Sequence, residues 1–195
     1  VQHWQADDTA ALDRALASAA AGSPTVLVID GAAGMGKSAL LDELSRRASG
    51  FAQLWAEGRS DRTAPDYGAL QQWGADIDPA AAGPVLAAQQ LRALLSEFGD
   101  RPVMLVADDA QWIDAESAEA VLAVLRRAAG DRLLCAIAVR SDGEETPRAL
   151  SRIAAGPWET GRIALSGLNA ESAAALCREI RPDIGTELIR TLVRH

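Results

Sequence analysis

At 195 residues the chain can bury one substantial core, or one core and the start of a second subdomain. Its formal charge of −8, a pI near 4.8 and the lack of any basic run argue against this segment gripping a nucleic-acid backbone itself. No apolar stretch approaches the roughly 18 to 20 residues of a membrane span, no signal-peptide pattern opens the chain, and the two cysteines, Cys135 and Cys177, cannot make a disulfide framework. The expectation is a cytoplasmic protein with no membrane partner. His3 and His195 sit at the two ends and build no site, so a metal held by protein ligands alone is not expected.

In chain order, Leu12, Ala15, Leu16 and Ala19 recur at helical spacing over residues 5 to 20, with Asp7, Asp8 or Thr9 as candidate caps. Gly22, Ser23 and Pro24 stop that helix. Val26 to Ile29 is a continuous aliphatic run, the pattern of a strand covered on both faces. A glycine turn follows, then a helix over Ala39–Ala48 opened by Lys37 and Ser38. Phe51–Ala56 predicts a second strand, residues 58 to 66 a loop, Tyr67–Trp73 a short helix, and Val85–Phe98 an amphipathic helix with Leu86, Leu91, Leu94, Leu95 and Phe98 on one side. Val103–Ala107 is a third strand running into Asp108 and Asp109. Asp114 caps a predicted helix over Ala115–Ala129 that closes at Gly130. Leu133–Val139 is a fourth strand ending at Arg140, Pro147–Ala154 a helix, and Arg162–Leu165 a fifth strand. From Asn169 the periodicity is purely helical.

Strands alternating with helices at these intervals predict an α/β fold: a parallel five-stranded sheet flanked by helices. Residues 1–167 read as the core and 168–195 as the beginning of a small helical lid that continues past the last residue.

The stretch TVLVIDGAAGMGKSALL joins strand, turn and helix, and its Gly31-to-Ser38 spacing is GxxxxGKS, the Walker A pattern of a P-loop NTPase. Glycines let the backbone take conformations that side chains forbid, so that N–H groups converge on one anion at a helix N-terminus. The expected phosphate cradle is Gly31, Ala32, Ala33, Gly34, Met35, Gly36, Lys37, Ser38 and Ala39. Lys37 reaches the β and γ phosphates and the Ser38 hydroxyl ligates Mg²⁺. Lys37 is the one lysine among 19 basic residues, standing where a compact ammonium fits and a planar guanidinium does not.

VMLVADD has the Walker B form, an acidic residue at a strand's end that holds Mg²⁺. Asp108 fits the metal. Asp109 fits the orientation or deprotonation of the attacking water, or else is a loop residue bonding the next helix's backbone. Arg140, at the end of the neighbouring strand, either senses the γ phosphate or is a solvated strand-end arginine. Asp114 reads as a cap and Trp112 as a packing residue that carries the turn's position toward the site, while Arg59 and Arg62 either face phosphate from the loop after the second strand or are surface groups. The geometric expectation is that Lys37 and the two aspartates converge from adjacent strand tips on one magnesium-bound triphosphate.

Taken together, DGAAGMGKSALL, VMLVADDAQWID and AVRSD resemble the STAND branch of AAA+-like ATPases, above all the ATPase domains of large ATP-binding LuxR-type transcription regulators. Asp108, Asp109, Trp112 and Asp114 match the family's DD-x-x-W-x-D segment. The chain departs from the family in lacking the Gly-Arg pair before the first helix that helps hold the base; that place reads His3-Trp4-Gln5-Ala6-Asp7. The resemblance implies a Mg²⁺-dependent switch that binds and slowly hydrolyses ATP, exchanges ADP and self-associates within a longer protein. DNA binding then falls to a C-terminal helix-turn-helix outside this chain. A P-loop phosphotransferase and a non-hydrolysing nucleotide-binding scaffold are the competing readings.

Overall fold

A computed structural model describes residues 4–60, 65–80, 82–141 and 148–166. The elements run α1 (Ala6–Ala20), β1 (Thr25–Asp30), α2 (Lys37–Arg47), β2 (Ala52–Glu57), α3 (Gly68–Trp73), α4 (Pro84–Ser96), β3 (Val103–Asp108), α5 (Ala115–Leu125), β4 (Leu133–Val139), α6 (Arg148–Ala154) and β5 (Glu159–Ala164). The strands form one sheet in the order β2-β3-β4-β1-β5, and every pair is parallel. All five C-terminal strand ends therefore lie along one edge.

Side chains alternate across each strand, and the alternation sorts the core into two layers. Leu27, Ile29, Met104, Val106, Leu134, Ala136 and Ala138 face α1 and α2, meeting Leu12, Leu16, Leu40, Leu41 and Leu44. Val26, Val28, Leu105, Ala107, Cys135 and Ile137 face the opposite way, toward α3, α4, α5 and α6. The three central strands are covered on both sides, which is why they read as unbroken aliphatic runs. The edge strands β2 and β5 are only partly covered, and only Ile163 of β5 is buried.

Several boundaries differ from expectation for local reasons. Helix α1 begins at Ala6, so its candidate caps Asp7, Asp8 and Thr9 already lie inside it. Gln5 holds the cap position without a side-chain bond, while Asp7 and Asp8 lie in the first turn, where negative charge suits the helix dipole. Helix α5 stops at Leu125 instead of Ala129, because Arg127 and Ala128 tighten onto carbonyls three residues back and Gly130 takes φ +87°. Strand β5 starts at Glu159, paired with Thr25, where a polar stretch hid it. Leu86, expected on the apolar side of α4, is exposed, and Ala87 takes the buried position. The predicted lid, with Cys177, His195 and the helices after Asn169, lies outside the described residues, as do His3 and Arg62. Among the described residues no helix is long and apolar enough to cross a membrane.

Candidate nucleotide site

Residues 31–36 connect β1 to α2 in the tight turn that the glycine spacing demands. Gly34 has φ +76° and Gly36 has φ +88°, a region costly to any residue with a Cβ. Gly36 is the N-cap of α2 and offers no side chain to cap it. The first helical bond is Leu40 N–H to Gly36 O, at 2.9 Å, so the amides of Lys37, Ser38 and Ala39 precede the helical ladder at the positive end of its dipole. Ala33, Gly34, Met35 and Ser38 are on the surface of this turn, while Gly31 and Lys37 are buried beneath it.

Lys37 is 7% exposed, and its Nζ donates to Gly31 O at 2.8 Å and Ala32 O at 2.9 Å. A buried ammonium needs such partners, since desolvation without them is expensive. The side chain thus curls under the loop that it is expected to serve. Trp4, just before α1, lies over the same turn: a Cβ on Gly36 would meet Trp4 Cη2 at 3.3 Å. At the loop's entrance Arg162 of β5 pairs with Asp30 Oδ2 at 3.2 Å.

The acidic pair sits at the tip of β3, on the edge that also carries the P-loop. The strand order corrects one expectation. β1 and β3 are not adjacent, because β4 runs between them, which separates their tips by two strand spacings, about 10 Å. Arg140, directly after β4, therefore stands between the P-loop and the aspartates rather than beside them.

Asp108 Oδ1 accepts the Asp109 N–H at 2.8 Å, and its carbonyl accepts Gly58 N–H at 2.9 Å. Asp109 is one of two non-glycine residues with positive φ among the described residues, at φ 45°, ψ 44°. Gly58 explains part of this shape: a Cβ there would lie 2.2 Å from the Asp109 carbonyl oxygen, so only glycine lets the β2 exit pass so closely. Asp109 caps the 3-10 turn that follows through its backbone carbonyl, which accepts Trp112 N–H at 3.0 Å, while its side chain makes no cap bond. Its Oδ1 accepts from Gln111 Nε2 at 3.1 Å.

Asp114 is the capping residue, and more. Its carboxylate accepts Ser117 N–H at 2.7 Å, Tyr67 N–H at 2.9 Å and Ala69 N–H at 3.1 Å, pinning the starts of α5 and α3 together. Arg140 is half-buried, with its guanidinium 5.6 Å from the centre of the Trp112 ring, so it is not simply a solvated strand-end arginine. Trp112 packs here, in a short 3-10 turn spanning Ala110–Trp112, rather than in the apolar core. Arg59 is exposed.

Gln111, Gly58 and Trp4 were absent from the expected site. Gln111 carried a signal, a polar residue between Asp109 and Asp114. Gly58 and Trp4 reach the site only through tertiary contact.

The residues present suit a magnesium nucleotide. Among the described residues no three His, Cys, Asp or Glu side chains gather as a metal cluster. A hard divalent ion bound by one carboxylate, one hydroxyl and substrate phosphates requires no such cluster. Elsewhere, a cavity of about 440 Å³ opens at the opposite edge of the sheet. Its arginines are engaged in structural bonds, Arg92 to Asp131, Arg101 to Phe51 O and Arg132 to Asp100 O.

A five-stranded parallel sheet with helices on both faces and a glycine loop leading into a helix defines the class as a P-loop NTPase-like α/β fold. Residues 5–137, well over half of the chain, match the AAA ATPase domain model, and the chain belongs to that family. No curated protein matches it in sequence. In fold it is similar to the Aeropyrum pernix ORC2 protein solved as ADPNP-ADP complexes, at 18% identity and TM-score 0.60, covering 89% of this chain and 50% of that one. It is also similar to Drosophila ORC bound to DNA, at 11% identity and TM-score 0.64, covering 96% and 49%. The C. elegans PCH-2 structure matches at 13% identity and TM-score 0.56, covering 95% and 51%. At such identities the likeness is one of fold, and the chain spans about half the length of each of these proteins.

Proposed function

We propose that this AAA ATPase domain is a Mg²⁺-dependent switch that binds ATP and hydrolyses it slowly within a longer, signal-responsive transcription regulator. The observation that carries the nucleotide reading is Lys37. The chain's one lysine is buried under a turn shaped by Gly34 and Gly36, at the N-terminus of α2 and on the sheet edge that bears Asp108.

In this reading the amides of the loop and of Lys37, Ser38 and Ala39 bind the phosphates, and the Lys37 ammonium exchanges its loop carbonyls for phosphate oxygens. Ser38 and Asp108 hold the ion, which when bound neutralises charge on the β and γ phosphates. Asp109 orients the attacking water, and Arg140 senses the γ phosphate from the tip of β4. Residues 1–167 act as the ATPase core and 168–195 as the beginning of a lid.

The DDAQWID segment supports placement with STAND-type regulators. The charge of −8 supports leaving DNA contact to another part of the protein. Self-association and ADP as the exchanged product follow from the same resemblance, and a cytoplasmic setting from the sparse cysteines of the sequence.

Incubation with ATP, Mg²⁺ and candidate acceptors tests the reading. Free phosphate is the expected product. A labelled acceptor would instead identify a phosphotransferase, and tight binding without release would identify a non-hydrolysing scaffold.

A further inference from the structure

We infer that Gln111 is a positioning residue that locks the Asp109 carboxylate to the tip of β4, so that Arg140 and Asp109 act as one unit; this rests on the hydrolytic reading above. Gln111 is 6% exposed, one of few buried polar side chains among the described residues. Its amide bridges two strand tips: Nε2 donates to Asp109 Oδ1 at 3.1 Å, and Oε1 accepts Arg140 N–H at 3.2 Å.

The chemistry of the two partners fixes the amide's orientation. A backbone N–H can only donate, so it must face the amide oxygen. A carboxylate can only accept, so it must face the amide nitrogen. Glutamate would set carboxylate against carboxylate, and asparagine is one methylene shorter.

A second connection runs in parallel. Trp112 N–H donates to Asp109 O at 3.0 Å while its ring lies beneath the Arg140 guanidinium. Asp109 is thus tied to the β4 tip through the Gln111 amide and, by way of the Trp112 backbone and ring, to the Arg140 guanidinium. Its left-handed backbone, unfavourable for a residue with a β-carbon, persists because these bonds over-determine it. A shift of the β4 tip on engaging an anion would be passed to the carboxylate through the amide.

The test is a mutant cycle on the whole chain: Gln111→Met, which keeps length and volume but removes both bonds, Asp109→Ala, and the double variant. We expect Gln111→Met to lower kcat at least about tenfold with KM nearly unchanged and thermal unfolding still cooperative, and to have no further effect on kcat once Asp109 is alanine. A kcat within twofold of the parent, or a full additional loss in the Asp109→Ala background, overturns the inference. If the parent chain releases no phosphate, the hydrolytic reading fails, and amide hydrogen exchange at Arg140 decides the bridge alone. Exchange at least about tenfold faster in Gln111→Met upholds it, and unchanged exchange overturns it.

Discussion

The turn after β1 and the tip of β3 lie on the same sheet edge, yet they are built by different physics. The P-loop is shaped mainly by local residues, although the Gly31 backbone also donates to Val139 O and accepts Ser141 N–H, each at 3.4 Å. Its shape follows from Gly34 and Gly36 at positive φ and from the helix that starts at Lys37, and even its buried ammonium bonds carbonyls only five and six residues away. The β3 tip is assembled from a distance. Gly58 N–H holds the Asp108 carbonyl, Gln111 reaches Arg140, and Asp114 gathers amides from 45 and 47 residues upstream. A local loop can change a side chain and keep its shape, whereas a tip held by long-range bonds couples each side chain to the fold.

The sharpest way to test that contrast is Lys37→Ala. Calorimetric titration with Mg-ATP should show affinity reduced at least about hundredfold, the worth of roughly two charge-assisted hydrogen bonds. Thermal unfolding should remain cooperative, because Gly34 and Gly36 shape the turn without that side chain. Undiminished affinity would contradict the loop's role.

Asp114→Ala should behave in the opposite way. Losing a helix cap and two further amide bonds should destabilise the fold by about 2–3 kcal/mol, lowering Tm by roughly 5–10 °C in a thermal melt. A change of less than about 1 °C would show that α3 and α5 are held together by apolar packing alone. Asp108→Asn, which can still accept from the Asp109 amide, should leave Tm nearly unchanged and lower Mg²⁺-dependent phosphate release at least about tenfold. Equal rates would remove Asp108 from the metal.

The mildest prediction concerns the core between the two regions. Burial raises the Cys135 thiol from its ordinary 9.0 to about 12. Below pH 9 the thiol is neutral in folded and unfolded chains alike, so its contribution to stability is fully retained. Between pH 9 and 12 the unfolded thiol ionises first, and stability falls across that window. Replacing Cys135 with alanine should remove that part of the alkaline decline in denaturant melts, and an identical slope would assign it to other groups.

The same contrast explains what the sequence disclosed. The central strands, the parallel arrangement and the Walker A turn were legible because each is written in contiguous residues: aliphatic runs, glycines at fixed spacing, a lysine opening a helix. Asp114 was legible as a cap for the same reason. Its hold on Tyr67 and Ala69 was not, since nothing near residue 114 specifies a partner near residue 67. Nor could spacing along the chain show that β4 lies between β1 and β3, because strand order is set by how helices cover the two faces. Edge strand β5 was mislocated because only one of its side chains is buried and its pattern is polar.

The central claim is that both regions hold one ligand. Crystals grown with Mn²⁺ and a non-hydrolysable ATP analogue test it directly through the metal's anomalous signal. The account predicts a peak bonded to Ser38 Oγ, with the Asp108 carboxylate in the ion's coordination or hydration shell and the β and γ phosphates on Lys37. A nucleotide bound away from the P-loop, or a metal with no contact to the β3 tip directly or through water, would contradict it.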